Sequence, residues 1–111
     1  NAVTNPRISQ HGYAKLPNGL VIQWGEGSAG ESLSWTINFP TLFPNACLAV
    51  NVNERNASGW GDIGGGNYAI TIYGASNFTP SNFKVYCVQN TSGTNTVPVG
   101  PTAFSYIAVG Y

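Results

Sequence analysis

Charge is what this 111-residue sequence has least of: four Lys and Arg balance four Asp and Glu, and only 7% of residues are charged. Ordinary globular domains carry roughly a quarter. Without a basic surface the chain lacks the electrostatic footprint that draws nucleic acid or anionic membrane, so neither is expected as a partner. Net neutrality favours association instead, which predicts a permanent oligomer or a part of a larger particle. No apolar run is long enough to span a membrane, and the opening NAVTNPRISQ has neither the basic start nor the apolar stretch of a secretory leader. Methionine is absent and position 1 is Asn, so the chain reads as a fragment of something longer.

The sequence is equally poor in catalytic groups. Its acids are Glu26, Glu31, Glu54 and Asp62. Glu54 and Asp62 would be the pair for a hydrolase, facing one another across a loop, although acids so placed are ordinarily just solvated. His11 is the single histidine, and one histidine with no recognisable nucleophile and acid around it argues against a hydrolytic triad. It would hold a metal only if three copies met at a trimer axis. No enzymatic activity and no cofactor are expected. Cys47 and Cys87 lack metal-ligand spacing; two free, buried thiols are the expectation, which an oxidising compartment would reverse in favour of one disulfide.

In place of charge there are 13 Asn, 9 Ser, 9 Thr, 14 Gly and 14 aromatic residues, a composition suited to sugar contacts through neutral hydrogen bonds and ring faces. Apolar residues alternate with period two. Leu33, Trp35, Ile37 and Phe39 share one face of a strand; Leu20, Ile22 and Trp24 group in the same way, as do Leu48, Val50 and Val52, then Tyr68, Ile70 and Ile72. Phe83 to Gln89 and Phe104 to Tyr111 bring the number of strands to at least six. Pro17-Asn18-Gly19 predicts a tight reversal before Leu20, and Pro40 and Pro44 bracket another turn. With no helical apolar stripe and with Gly and Pro spread throughout, the fold class is all-β, an antiparallel two-sheet β-sandwich. The apolar final run predicts a packed last strand, inside the sheet or against a neighbouring subunit.

GWGDIGGGNY, from Gly59 to Tyr68, contains G-x-G-x-x-G. A dinucleotide fingerprint needs a helix after its glycines and an acid about twenty residues on. Here a strand pattern follows, and Lys84 stands where the acid would be. The segment from Glu54 to Asn67 reads instead as a long connection between strands, of the kind that carries function on a rigid sheet. Trp60 within it is either a cap on the core or an aromatic plate for a ligand. With Arg55, Asn56, Asp62 and Asn67 it forms the candidate binding set for a sugar or a protein. Asn90 to Pro101, almost without charge, would join two strands or hydrogen-bond a glycan.

Three segments in order, YAKLPNGLVIQWG (Tyr13 to Gly25), FPTLFPNACLAV (Phe39 to Val50) and YIAVGY (Tyr106 to Tyr111), resemble the C-terminal domain of bacteriophage tail fibres. The resemblance implies a β-sandwich knob at the distal tip of a fibre in the virion, assembled as a homotrimer in the bacterial cytoplasm. Residues 1–14 would join the rest of the fibre and residues 15–111 would form the tip. It implies attachment to a bacterial surface receptor, a glycan such as lipopolysaccharide or an outer-membrane protein. The matching segments are framework, so the resemblance transfers no receptor-contacting residue. The alternatives are a domain that only registers and caps the trimer, and a glycan-cleaving tip.

Overall fold

A computed structural model describes residues 10–29, 34–55, 60–97 and 102–111. Among them nine strands build two antiparallel sheets, with no helix: β1 (Gly12–Lys15), β2 (Val21–Ala29), β3 (Ser34–Asn38), β4 (Cys47–Glu54), β5 (Gly61–Gly64), β6 (Asn67–Ser76), β7 (Asn82–Thr91), β8 (Thr94–Thr96) and β9 (Thr102–Gly110). The first sheet has the order β1-β2-β9-β4; the second runs β3-β7-β6-β5, with β8 also paired to β7. The last long strand therefore lies inside its sheet, hydrogen-bonded to β2 on one side and β4 on the other.

Aromatic rings dominate the layer between the sheets. Phe43, Phe83 and Phe104 are fully buried and Tyr106 nearly so, each contributing about 2–3 kcal/mol of transfer free energy. Phe39 meets Phe43 edge-on at 5.0 Å between centroids and stacks on Phe83 at 5.4 Å, while Phe83 meets Tyr106 at 5.1 Å. Trp35, Ile37, Val50 and Val52 pack onto this cluster, as their alternation predicts. Cys47 and Cys87 stand on different sheets as free thiols, half-buried and buried.

Two of the expected apolar runs face outward. On β2 the buried residues are Val21, Gln23 and Gly25, and on β6 they are Ala69 and Thr71. Ile22 and Trp24, and Tyr68, Ile70 and Ile72, are on the opposite faces of their strands. The inversion on β2 has a steric cause. Gly25 and Gly27 lie opposite Tyr106 and Phe104, whose rings occupy the space where a Cβ would stand, 2.7 and 2.8 Å away. Glycine faces inward here because large rings on the neighbouring strand fill its share of the core. Leu48 is also exposed, at an irregularity between Cys47 and Ala49 that shifts the β4–β9 register.

The domain is elongated, 52 × 25 × 19 Å, and its two ends differ. One holds the Leu16–Leu20 reversal, where Gly19 takes φ +92°, together with the Pro40–Pro44 loop and Tyr111. At the other end, among the described residues, β6 and β7 run on beyond the contact of Thr71 with Glu54 and carry β5 and β8 with them.

Candidate functional site

Beyond the point where Glu54 at the end of β4 accepts a hydrogen bond from Thr71 N at 2.9 Å, strands β5 to β8 form a ribbon of two adjacent hairpins. The β5–β6 hairpin turns through Gly65 and Gly66, with φ +65° and +78°, so the glycines serve a reversal and the nucleotide reading has no structural basis. The segment expected as a long irregular connection thus contains a strand, because Gly61 and Asp62 pair with Ala69 and Tyr68. The β7–β8 hairpin turns through Ser92 and Gly93, with φ +48° and +96°, so much of the expected Asn90–Pro101 connector is ladder; residues 98–101 lie outside the described residues.

Ser92 ties the two hairpins together. Its N–H donates to Tyr68 O at 2.9 Å, its Oγ accepts from Tyr68 N at 3.2 Å, and its hydroxyl donates to Asn67 Oδ1 at 3.1 Å. Asn90 Nδ2 donates to Asn95 Oδ1 at 2.7 Å. The ribbon is therefore a preorganised surface of amides and hydroxyls, with Asp62 as the single acid of its two hairpins.

Of the five candidate residues, the structure brings Asp62 and Asn67 onto one hairpin. Asp62 Oδ1 accepts from Gly64 N at 2.9 Å, which fixes the carboxylate at the bulge. Trp60 is partly buried immediately before β5. Arg55 belongs to the other sheet: its N–H donates to Ala103 O at 2.8 Å and its guanidinium pairs with Glu26 at 2.9 Å. With the arginine side chain half-exposed, that pair contributes at most about 1 kcal/mol. Asn56 lies outside the described residues. Glu54 and Asp62 have separate backbone partners. His11 is exposed just ahead of β1, and among the described residues no three His, Cys, Asp or Glu cluster as metal ligands.

At the opposite end is a feature that the sequence reasoning missed: a cleft of about 500 Å³ lined by Asn18, Gly19, Leu20, Pro44, Asn45 and Tyr111. Its walls are the LPNGL reversal, the FPNA turn and the terminal GY, the segments that carry the family resemblance. These framework segments, far apart in the sequence, jointly make one surface. Two apolar patches also remain on the outer sheet faces: Trp24 with Ile107, 50% exposed, on the first sheet, and Ile70, Ile72 and Tyr86 on the second, with Ile72 50% exposed.

These features define an all-β sandwich with a projecting ribbon, exposed apolar faces and a charge-poor surface chemistry. The chain belongs to the Gp53-like C-terminal tail fibre domain family, whose profile matches residues 15–111. β1 begins at Gly12, inside the segment expected to lead into the domain. The chain is 32% identical over 104 residues to the uncharacterized protein MJ0347 of Methanocaldococcus jannaschii, covering 91% of this chain and 63% of that protein. It is 29% identical over 122 residues to the uncharacterized protein StfP of Escherichia coli K12, covering all of this chain and 50% of that one. The chain thus spans between half and two thirds of these relatives.

The fold matches an N-truncated R2-type pyocin tail fibre with a TM-score of 0.70 at 21% identity, over 96% of this chain and 37% of that one. An N-truncated R1-type pyocin tail fibre matches with a TM-score of 0.67 at 19% identity, over 96% and 84%. The family match makes this chain a tail fibre C-terminal domain of a phage-particle-associated protein, with a fold shared by pyocin tail fibres.

Proposed function

We propose that this domain is the receptor-attachment tip of a trimeric fibre, and that it binds a bacterial surface glycan or an outer-membrane protein without catalysing a reaction. The observation that carries the reading is the ribbon: a rigid projection whose two hairpins offer Asn67, Ser92, Asn90 and Asn95 with one fixed carboxylate, Asp62. Such a surface suits a neutral polar ligand, and low affinity at one site is multiplied when three chains engage one cell.

Trimer formation is supported by the apolar patches. A three-fold contact is heterologous, joining one surface of a chain to a different surface of the next. This chain carries two separate patches of that kind, one around Ile107 and one around Ile72, and exposed apolar area of this sort ordinarily marks an association surface.

The test compares the purified domain with Trp60→Ala, Asp62→Ala and Asn67→Ala in binding to intact bacterial cells, after light scattering has given the mass of each. Attachment through the ribbon predicts saturable binding by the parent and its loss in Asp62→Ala or Asn67→Ala at unchanged trimer mass. Equal binding by all variants would assign attachment elsewhere, and a monomeric parent would remove the trimer.

A further inference from the structure

The cleft between the Leu16–Leu20 reversal and the Pro44–Asn45 turn lies at the end of the sandwich away from the ribbon. β1 is directed toward it: Gly12 pairs with Trp24, and Lys15 with Val21 beside the reversal.

The cleft is held rigidly. Leu16 N donates to Leu20 O at 2.8 Å, and Gly19 N donates to Leu16 O at 3.0 Å. Asn18 Oδ1 accepts from Leu20 N at 3.1 Å. On the other wall Asn45 N and Ala46 N both donate to Tyr111 O, at 2.7 and 2.9 Å, and Tyr111 N donates back to Ala46 O at 3.0 Å. These bonds use backbone groups and one amide oxygen. They leave the Asn18 Nδ2, the whole Asn45 amide and the Tyr111 hydroxyl without a hydrogen-bond partner among the described residues. Tyr111 is 47% exposed, and Leu20 and Pro44 supply an apolar floor.

We infer that this cleft is a binding site for one neutral hexose-sized unit of a glycan, packed on Tyr111 and hydrogen-bonded by the side chains of Asn18 and Asn45. Its volume of about 500 Å³ lies in the range of small-ligand sites, roughly 300–1,000 Å³. No charged side chain lines it, which favours an uncharged ligand over a phosphate or an acidic sugar. A ring face with amide donors and acceptors matches the alternating apolar and hydroxyl edges of a pyranose. The inference rests on the reading of the domain as a receptor-attachment tip and adds a second contact, remote from the ribbon.

The test titrates the ¹⁵N-labelled chain with galactose, glucose, mannose and N-acetylglucosamine in turn. At least one sugar is expected to shift the amides of Gly19, Leu20, Asn45 and Tyr111 saturably and to leave those of Gly64 and Asn67 in place. Tyr111→Ala and Asn45→Ala both keep the backbone pairing of Tyr111 with Ala46, and each is expected to weaken binding by about tenfold or more. Cleft amides unmoved by every sugar, or equal affinity in both variants, would overturn the site. Tyr111-dependent binding to vesicles holding outer-membrane proteins but no polysaccharide, with no response to sugars, would overturn the ligand class. Cell binding separates the two readings. Cells that bind parent and both variants equally keep the attachment reading and overturn the cleft's part in it; cells that bind none, while a sugar fills the cleft, overturn the attachment reading alone.

Discussion

Gln23 and Thr41 are joined by a pair of hydrogen bonds: the buried Gln23 amide donates from Nε2 to Thr41 O and accepts at Oε1 from Thr41 N, both at 2.9 Å. A fully buried glutamine on a central strand is uncommon, and this one binds as a peptide group would. It pins the loop between β3 and β4, from which Phe43 enters the core and Pro44 and Asn45 reach the end cleft. Gln23→Met keeps the volume and leaves both Thr41 groups unpaired. It is expected to destabilise by about 2–4 kcal/mol in chemical denaturation, whereas Thr41→Ala, which keeps the backbone, should cost less than about 1 kcal/mol.

Gly25→Ala places a methyl group 2.7 Å from the Tyr106 ring and should cost about 1–3 kcal/mol. In a double-mutant cycle Tyr106→Leu should relieve part of that cost, because the clash is with the ring. Additive losses would show that the glycine serves the backbone instead.

Burial pushes the Tyr106 phenol up to about 12 from an ordinary 10.0. The unfolded chain then loses this proton first, so the contribution to stability is complete below pH 10 and is lost as pH rises toward 12. The unfolding midpoint should fall across that window, and Tyr106→Phe should flatten the fall.

Desolvation also raises both thiols above their ordinary value, which slows any reaction that needs the thiolate. Cys87, at 1% exposure, should resist alkylation at neutral pH until the domain unfolds, and the half-buried Cys47 should react earlier. Equal fast labelling of both would contradict the packing of β7.

The surface patches predict oligomer mass. Ile107→Lys and Ile72→Lys place charge on the two outer faces, and at least one of them should give monomers by light scattering with strand content unchanged. A trimer that survives both changes would mean that neither patch is the contact.

Much of the architecture was legible because period-two alternation reports strands directly: the Pro17-Asn18-Gly19 reversal stands where the sequence puts it, and the Trp35 and Ile37 alternation falls in β3 (Ser34–Asn38). The inward faces of β2 and β6 were not. Alternation shows that two faces differ, but which one is buried depends on the neighbouring strand, and Tyr106 and Phe104 fill the core over Gly25 and Gly27. The candidate set was only partly legible for a similar reason. Asp62 and Asn67 are close in sequence and share a hairpin, whereas Arg55 turns to Glu26, a partner 29 residues away that no local pattern reveals. The end cleft needs three segments far apart in the chain, and only the fold brings them together.

The proposed attachment of this domain to a bacterial surface is open to direct test. The most direct measurement is binding of the fluorescently labelled domain to intact cells across a panel of bacterial strains, with unlabelled domain as competitor. Saturable, strain-restricted binding that unlabelled domain displaces is the predicted result. Binding that is absent from every strain, or that rises without saturation and equally on all of them, would contradict the account.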